Sequence, residues 1–406
     1  MKRLLSLSLI DQALLSAASF VISLVLVKYG GPQSVGGFAL ALSMTFVATG
    51  VQNAMVITPA AVRLFSLDRA AQAGILATLT TVDVLLNAAL TAACFGVSIG
   101  LDFTAFQSAA VALLVSSSLV RELARGVLAG CGNIQRCVVL DSAGVAVCFA
   151  VTWFLWSRVA PEMACMLGLA TGNLLSSWVF GPENHRRPGQ LLHHLSAYSA
   201  YWGESRWMLM GATATELHER SYVFMLQMLR GIATVGTVHA GRFLIAPLSL
   251  MTTAWGRAMR PRMATLLENG RHAEARGILV GGVALTLALT VAYIAVLLLL
   301  WDVIDRQLFA GRYPDMWPIV LAWCGYGLLS VPANCLSFYY QAERRFQPLA
   351  VNAVWGGAGS LGFLLVLMLP VPDFTAILSL YAGAGIALAA QLKWWLEVPS
   401  PSRVLP

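Results

Sequence analysis

Apolar runs close to twenty residues long recur from one end of the chain to the other, separated by short stretches carrying Gly, Pro and charge. A bilayer core takes ~20 apolar residues per helix. In lipid only helices and closed barrels satisfy every backbone polar group. The alternating ten-residue segments of a barrel do not occur in the sequence. Read from turn signal to turn signal, the pattern predicts twelve spans, near 8–29, 37–62, 72–100, 104–120, 137–157, 161–181, 206–229, 236–258, 277–300, 317–340, 348–370 and 374–396. The opening MKRLLSLSLIDQALLSAASF has a basic start and an apolar run with no A-x-A-like cleavage site after it, which predicts a retained first span.

Composition agrees with that reading. Of 406 residues, 58% are hydrophobic and 11% charged, and the mean hydropathy is +0.74, whereas a soluble domain carries roughly 25% charged residues. The expected class is an all-α polytopic membrane protein. Charge placement then orients it. Of 26 Lys and Arg, most fall in 2–3, 63–69, 121–136, 186–206, 257–276, 344–345 and the tail. Lys28, Arg158, Arg230, Arg306 and Arg312 fall on the other side, and Arg220 and Arg242 lie within spans. The positive-inside rule therefore predicts twelve spans in the inner (plasma) membrane with both termini cytoplasmic. The net charge of +7 is mostly this topology signal, and it suits anionic inner-leaflet lipid as well as a basic cavity. No patch interleaves aromatic and basic residues in a soluble segment, so nucleic acid is not an expected partner.

The polar, Pro/Gly-marked stretch 182–205 divides the chain into an N-terminal six-span lobe (1–181) and a C-terminal one (206–396), followed by a tail (397–406). An internal repeat supports two matched halves. YGGPQSVGGFALAL (29–42) aligns with LRGIATVGTVHAGR (229–242), so that Gly31 meets Gly231, Val35 meets Val235 and Gly36 meets Gly236. AGIL (73–76) meets RGIL (276–279) after the next span. Six spans followed by six make a parallel repeat, with an expected pseudo-twofold axis along the membrane normal and a central cavity between the lobes.

The repeat isolates what is unusual. ATELHERSYVFMLQMLRG (213–230) is a span with Glu216, His218, Glu219 and Arg220 in its middle, and the matching first-half positions of Glu216, Glu219 and Arg220 are Ser16, Ser19 and Phe20. His239 and Arg242 likewise match Ala39 and Leu42. The architecture does not need these charges. Glu216, Glu219 and Arg220 fall within about a 100° arc of one helix face, with His218 nearly opposite. A helix entering near Arg206 puts Glu216 about 15 Å in, where each charge costs roughly 2.5–3.5 kcal/mol unless paired or hydrated. A Glu216–Arg220 pair at i,i+4 relieves most of that. The cluster marks either a substrate or ion path or an interhelical ion pair that locks the bundle.

Other polar residues inside spans carry open readings. Asp11, beside Gln12, either senses protons or substrate at the cytoplasmic mouth or sits in the headgroup layer. Lys28 closes the first span and snorkels to the outer interface. Asp83 and Asn87, i,i+4 in the third span, form a polar lining or an interhelical hydrogen bond. Asp141 lies just inside the fifth span, near the cytoplasmic interface. Pro59, Pro247 and Pro332 bend their spans or free a carbonyl. Gly126–Gly130, Gly168–Gly172 and Gly277–Gly281 have the spacing of helix contact faces. The seven Cys are scattered packing residues, and His193–His194, beside Arg186 and Arg187, read as solvated loop rather than a metal site.

DQALLSAASFVISLVLVKYGGPQSVGGFALA resembles the opening of the Wzx-like polysaccharide transporters, the lipid-linked oligosaccharide flippases. ERSYVFMLQMLRGIATVGTVHAGRFLIAPL resembles their seventh and eighth spans, with Glu219–Arg220 where many members show an Asp-Arg or similar pair and Pro247 where they keep a proline. LARGVLAGCGNIQR looks like the family's cytoplasmic turn after the fourth span, and SFYYQAERRFQPL its counterpart after the tenth. The chain is similar in layout to the wider superfamily of multidrug antiporters and the peptidoglycan-precursor flippase, though short, with tight loops and a Glu in the pair.

The resemblance implies two six-helix lobes exchanging inward- and outward-open states, and a polyprenyl-pyrophosphate-linked saccharide as cargo moved from the inner to the outer leaflet for surface polysaccharide. Arg220 or Arg242 would attract the pyrophosphate or an acidic sugar, and Glu216 or Glu219 would couple the cycle to protons. Proton or sodium coupling and polysaccharide assembly proteins as partners stay open. The alternative is a drug or organic-cation antiporter of the same superfamily. A polysaccharide polymerase or ligase is disfavoured, because the largest external loop, WDVIDRQLFAGRYPDM, holds Asp302, Asp305, Arg306 and Arg312 but no nucleophile–base set. No GxxxxGKS/T loop occurs, and no cofactor, metal or catalytic residue is expected.

Overall fold

The structure, a computed structural model, describes the backbone of residues 2–59, 69–130, 133–177 and 191–397, and the side chains of 14–59, 74–128, 133, 135–177, 196–203, 205–366 and 368–396. Most of these residues are helical, with no strand among them. The helices are α1 (Lys2–Gln52), running into a π-helical turn (Asn53–Ile57), α2 (Arg69–Gly100), α3 (Ala105–Gly130), α4 (Ile134–Leu155) and α5 (Pro161–Ser176). They continue as α6 (Leu191–Arg230), α7 (Ile232–Glu268), α8 (His272–Leu299), α9 (Met316–Ala342), α10 (Phe346–Leu364) and α11 (Thr375–Glu397). A helix stands at each of the twelve expected places, because α1 covers the first two and breaks at Gly31. The all-α polytopic class expected from the sequence is the observed one. Among the described residues, six stretches are long and apolar enough by themselves to cross a membrane: Leu14–Ile57, Gly74–Gly100, Gln135–Leu155, His272–Leu299, Met316–Ala342 and Thr375–Leu396. Val84, Leu85, Val97 and Ile99 along α2, and Val280, Leu285, Val291 and Val296 along α8, are exposed. Apolar faces of that extent are unusual on a soluble monomer and fit lipid tails as their solvent.

Several helices outrun the spans that hydropathy marks. Expected to end at 120, α3 continues through Arg121, Glu122 and Arg125 to Gly130, so most of LARGVLAGCGNIQR is helix rather than turn. Helix α6 starts at Leu191, fifteen positions before the expected span, and α7 reaches Glu268. Hydropathy reports where lipid ends, and a helix with good formers continues into water. Residues 182–190 of the expected linker lie outside the described residues, as do the side chains of Asp11, Arg186, Arg187, His193 and His194.

The fold divides into two compact units, Met1–Thr213 and Ala214–Pro406, the division falling within α6. In the first, α1 packs on α3, α4 and α5, α3 packs on α2, and α4 lies along α5. The α4–α5 contact is backbone on backbone. A Cβ built on Gly144 would lie 2.6 Å from the Gly172 carbonyl oxygen, and one on Gly172 would lie 2.4 Å from that of Gly144. Gly168 faces the Cys148 carbonyl at 2.8 Å in the same way. The Gly168–Gly172 spacing is thus a true contact face, whereas Gly277 and Gly281 face open space. In the second unit α9 is central, packing on α7, α8 and α11, with α10 along α11. Aromatic residues Tyr339, Tyr340, Trp394 and Trp395 close the ends of α9 and α11 edge to face.

The prolines act locally. Pro59 has no N–H for the Met55 carbonyl, and the Tyr198 hydroxyl donates to that oxygen at 2.8 Å. One turn before Pro247, the Leu244 carbonyl accepts from the Tyr293 hydroxyl at 2.5 Å. Pro332 lies inside α9.

The repeat is visible in backbone torsions. Gly31, breaking α1, has φ 82° and ψ 175°, and Gly231, opening α7, has φ 87° and ψ 170°. Both lie in a region open essentially only to glycine, and neither has an atom within 4 Å of an added Cβ. The requirement is conformational, not steric. Gly31→Ala and Gly231→Ala are each expected to cost about 1–3 kcal/mol, while Gly277→Ala, in open helical surface, costs nothing. Thermal unfolding of the purified variants in detergent measures this, and equal melting temperatures for all three would refute it.

Candidate functional site

The seventh-span charges are all matched within the second unit. On α6 the Glu216 Oε2 lies 2.7 Å from Arg220 Nε, the expected i,i+4 pair. One turn away, Glu219 reaches α7, where Arg242 Nη2 donates to its Oε2 at 2.6 Å and Arg242 Nη1 donates to its backbone carbonyl at 3.1 Å. Its other oxygen, Oε1, accepts from the Tyr326 hydroxyl of α9 at 2.6 Å. One carboxylate therefore ties three helices together. The Arg242 guanidinium lies 5.5 Å from the Trp323 ring and 6.0 Å from the Tyr222 ring, within cation–π range.

His239 is buried beneath this pair. Arg242 Nη1 donates to the Tyr222 hydroxyl at 3.4 Å, leaving the phenol proton for His239 Nδ1 at 2.9 Å. Gly241 lets α7 approach α9, since a Cβ there would lie 2.8 Å from Ile319 and 2.9 Å from Trp323. The Trp323 indole N–H donates to the Val238 carbonyl at 2.8 Å. His218, on the far side of α6 as its spacing predicts, meets Ser360 Oγ of α10 at 2.5 Å. Ser360 donates to the Ser379 carbonyl at 2.7 Å, so it accepts from His218 Nδ1–H.

The structure thus gathers Glu216, Glu219, Arg220, His239 and Arg242 in one place. Lys28 and Asp83 belong to the first unit, each with its own surroundings. Lys28 lies 5.6 Å from the Tyr29 ring, just before the Gly31 break. Asp83 is buried and accepts from Gln52 Nε2 at 2.7 Å. Tyr222, Trp323, Tyr326 and Ser360 were not singled out by the sequence, because uncharged side chains in an apolar span carry no signal of their partners. Asp141, expected just inside the fifth span, anchors a second charged cluster. It is 1% exposed and lies 3.1 Å from Arg121 Nε and 2.9 Å from Arg125 Nε on α3, with Arg121 also donating to Asn173 Oδ1 at 3.2 Å. These arginines were placed in a cytoplasmic loop, and the extension of α3 brings them to Asp141.

Chemically, the second-unit site holds two guanidiniums and two carboxylates of zero summed formal charge. About a quarter of the Glu216, Glu219 and Arg242 side chains remains accessible, and 13% of Arg220. A guanidinium in such a pair can exchange one anion for another, and the carboxylate it releases then needs a cation of its own.

No family model and no curated protein matches the chain. Solved structures do. The lipid II flippase MurJ in an inward closed conformation aligns with TM-score 0.73 at 12% identity, over 96% of this chain and 87% of that one. A multidrug resistance MATE family transporter of the MOP superfamily, inward-facing, aligns with TM-score 0.67 at 11% identity, over 92% of each chain. The MATE transporter ClbM in complex with Rb+ aligns with TM-score 0.60 at 17% identity, over 98% and 95%. The fold is the one shared by MATE transporters and MurJ.

Arg242→Gln leaves Glu219 without its cation and is expected to cost roughly 3 kcal/mol, the low end for a buried pair because part of each side chain is accessible. Glu219→Gln added to it should restore much of that loss. Melting temperatures of the two single variants and the double variant test this, and strictly additive losses would argue that the pair is not coupled.

Proposed function

We propose that this protein is an alternating-access transporter that carries a lipid-linked saccharide, of the polyprenyl-pyrophosphate kind, from the inner to the outer leaflet of a bacterial plasma membrane for surface polysaccharide. The observation that carries the reading is the oppositely charged Glu216–Arg220 and Glu219–Arg242 set at span positions whose first-half counterparts are uncharged. The likeness to a lipid flippase fold supports it. The resemblance of the first two and the seventh and eighth spans to oligosaccharide flippases supplies the cargo class.

The chemistry suits an anionic, hydrated headgroup. Saccharide and pyrophosphate cannot cross hydrocarbon unaided, so a polar path must carry them while the lipid tail stays in the bilayer. Arg220 and Arg242 are both matched by carboxylates, so a phosphate oxygen would displace Glu216 or Glu219 and keep the guanidinium paired. The displaced carboxylate then needs a proton or another cation, which would link cargo movement to an ion gradient. In this reading residues 1–181 and 206–396 act as the two moving lobes, and Asp11, Lys28 and Asp83 belong to the first.

A drug or organic-cation antiporter is the second reading, favoured by the MATE likenesses. An organic cation calls for an acidic surplus, whereas both carboxylates here already hold arginines.

Glycan display in a deletion strain complemented with wild type, Arg220→Ala or Glu216→Ala, at matched membrane levels, decides between them. Loss of surface glycan on deletion, restored by wild type and cut at least tenfold in both variants, is the expected result. Surface glycan untouched by the deletion, together with ethidium efflux lost, would replace the flippase with the antiporter. Full rescue by both variants would return the pair to a purely structural role.

A further inference from the structure

The first unit holds a carboxylate that the second-unit chemistry does not explain. Asp83 lies nine residues into the apolar stretch Gly74–Gly100, roughly 14 Å along the axis, and is 3% exposed. Three other acids inside spans have a cation within reach: Glu216 has Arg220, Glu219 has Arg242, and Asp141 has Arg121 and Arg125. Among the described residues Asp83, deep in its span, has no ion-pair partner, and the buried Glu162 differs in sitting in the first turn of α5, where helix N-terminal N–H groups favour an anion. Its hydrogen-bond partner is neutral, the Gln52 side-chain amide at 2.7 Å, and that same Nε2 also donates to the Leu119 carbonyl at 2.7 Å. Gln52 in turn carries a buried carbonyl oxygen, Oε1, with no hydrogen-bond partner. Three helices, α1, α2 and α3, thus converge on a carboxylate and an amide carbonyl that lack an ion-pair partner among the described residues.

The charged groups on the packed elements do not fill the gap. Helix α3 carries Arg121, Glu122 and Arg125 beyond Leu119. Arg121 and Arg125 are drawn to Asp141, and Glu122 to Arg125 at 3.4 Å. From α6 the side facing this region is aromatic, Tyr198 and Tyr201 packing with Val56, Leu79 and Val82. Asn87, one turn further along α2, donates to the Ser116 carbonyl and accepts from Thr91.

We propose that Asp83, held by Gln52 whose Oε1 is left without a partner, is a binding site for one exchangeable monovalent cation, either a proton or Na+. A bare carboxylate in hydrocarbon costs several kcal/mol, and an exchangeable cation removes that cost where no fixed one exists. The surroundings suit exchange. Gln52 is the last residue of α1 before the π-helical turn Asn53–Ile57, a rare geometry often found at functional sites. Two residues beyond that turn is Pro59, whose missing N–H leaves the Met55 carbonyl to Tyr198. The bond to Asp83 therefore ends where α1 passes into a π-helical turn, so gaining or losing the cation changes a contact at that transition. As the coupling site of the transporter proposed above, Asp83 rests on that reading; cation binding by itself does not.

The test uses the purified full-length chain and reads binding, not transport. Melting temperature is followed with NaCl against choline chloride, and infrared difference spectra across pH follow the carbonyl stretch of protonated carboxyl groups, for wild type, Asp83→Asn and Gln52→Lys. If the ion is Na+, wild type shows a sodium-specific rise in melting temperature that both variants lose. If it is a proton, wild type shows a protonated-carboxyl band that Asp83→Asn lacks and that Gln52→Lys, by supplying a fixed cation, also removes. Either pattern supports the site and names its ion. A sodium response and a carboxyl band identical in all three proteins would overturn it. Should Asp83→Asn fail to fold, Gln52→Lys alone decides, since unchanged cation dependence beside a fixed ammonium refutes the proposal. A positive result with no glycan phenotype on deletion would sink the flippase reading and leave this site standing.

Discussion

Glu219 accepts from Arg242 of α7 and Tyr326 of α9 while α6 itself supplies the backbone carbonyl that Arg242 also holds. The second unit depends on that arrangement, because a carboxylate inside a span must be answered by positive charge and hydrogen-bond donors or pay several kcal/mol. Meeting that demand sets the approach of three helices. Gly241 keeps the α7–α9 contact close enough for the Trp323 indole to reach the Val238 carbonyl, and the same proximity puts Trp323 and Tyr222 around the guanidinium. Polar contacts within lipid draw helices together where the hydrophobic effect between them is absent.

The two units solve the same structural problem with different chemistry. Both turn from one span to the next through a glycine of nearly identical torsions, Gly31 and Gly231. The first unit then holds its helices by backbone contact at Gly144, Gly168 and Gly172 and by the Asp141–Arg121–Arg125 set. The second relies on aromatic packing and on Glu219. Close glycine contacts are rigid and specific, whereas an ion pair can trade one partner for another. In the reading proposed above, the exchangeable pairs of the second unit would take the anionic cargo and Asp83 of the first a small cation.

Much of this was legible from residues alone. The spacing of Glu216 and Arg220 predicts their pair, His218 is on the opposite face as its position demands, and the matched glycines at 31 and 231 adopt matched conformations. These are local properties: helical periodicity and a backbone region that only glycine enters require no knowledge of what packs where. The same holds for the all-helical membrane class, which follows from the length and frequency of apolar runs.

Other features needed the folded chain. Nothing in α9 marks Tyr326 as the donor to Glu219, and nothing in α3 marks Arg121 and Arg125 as the partners of Asp141 rather than loop cations. Each such pairing joins positions distant in sequence, and helix ends beyond the bilayer leave no hydropathy signal. The sequence by itself determined the helices, their membrane class, the repeat and which residues had to find a partner in lipid. Only the tertiary structure decided which partner each one has, because charge compensation is set by distance across helices, and distance between helices is not written in any one of them.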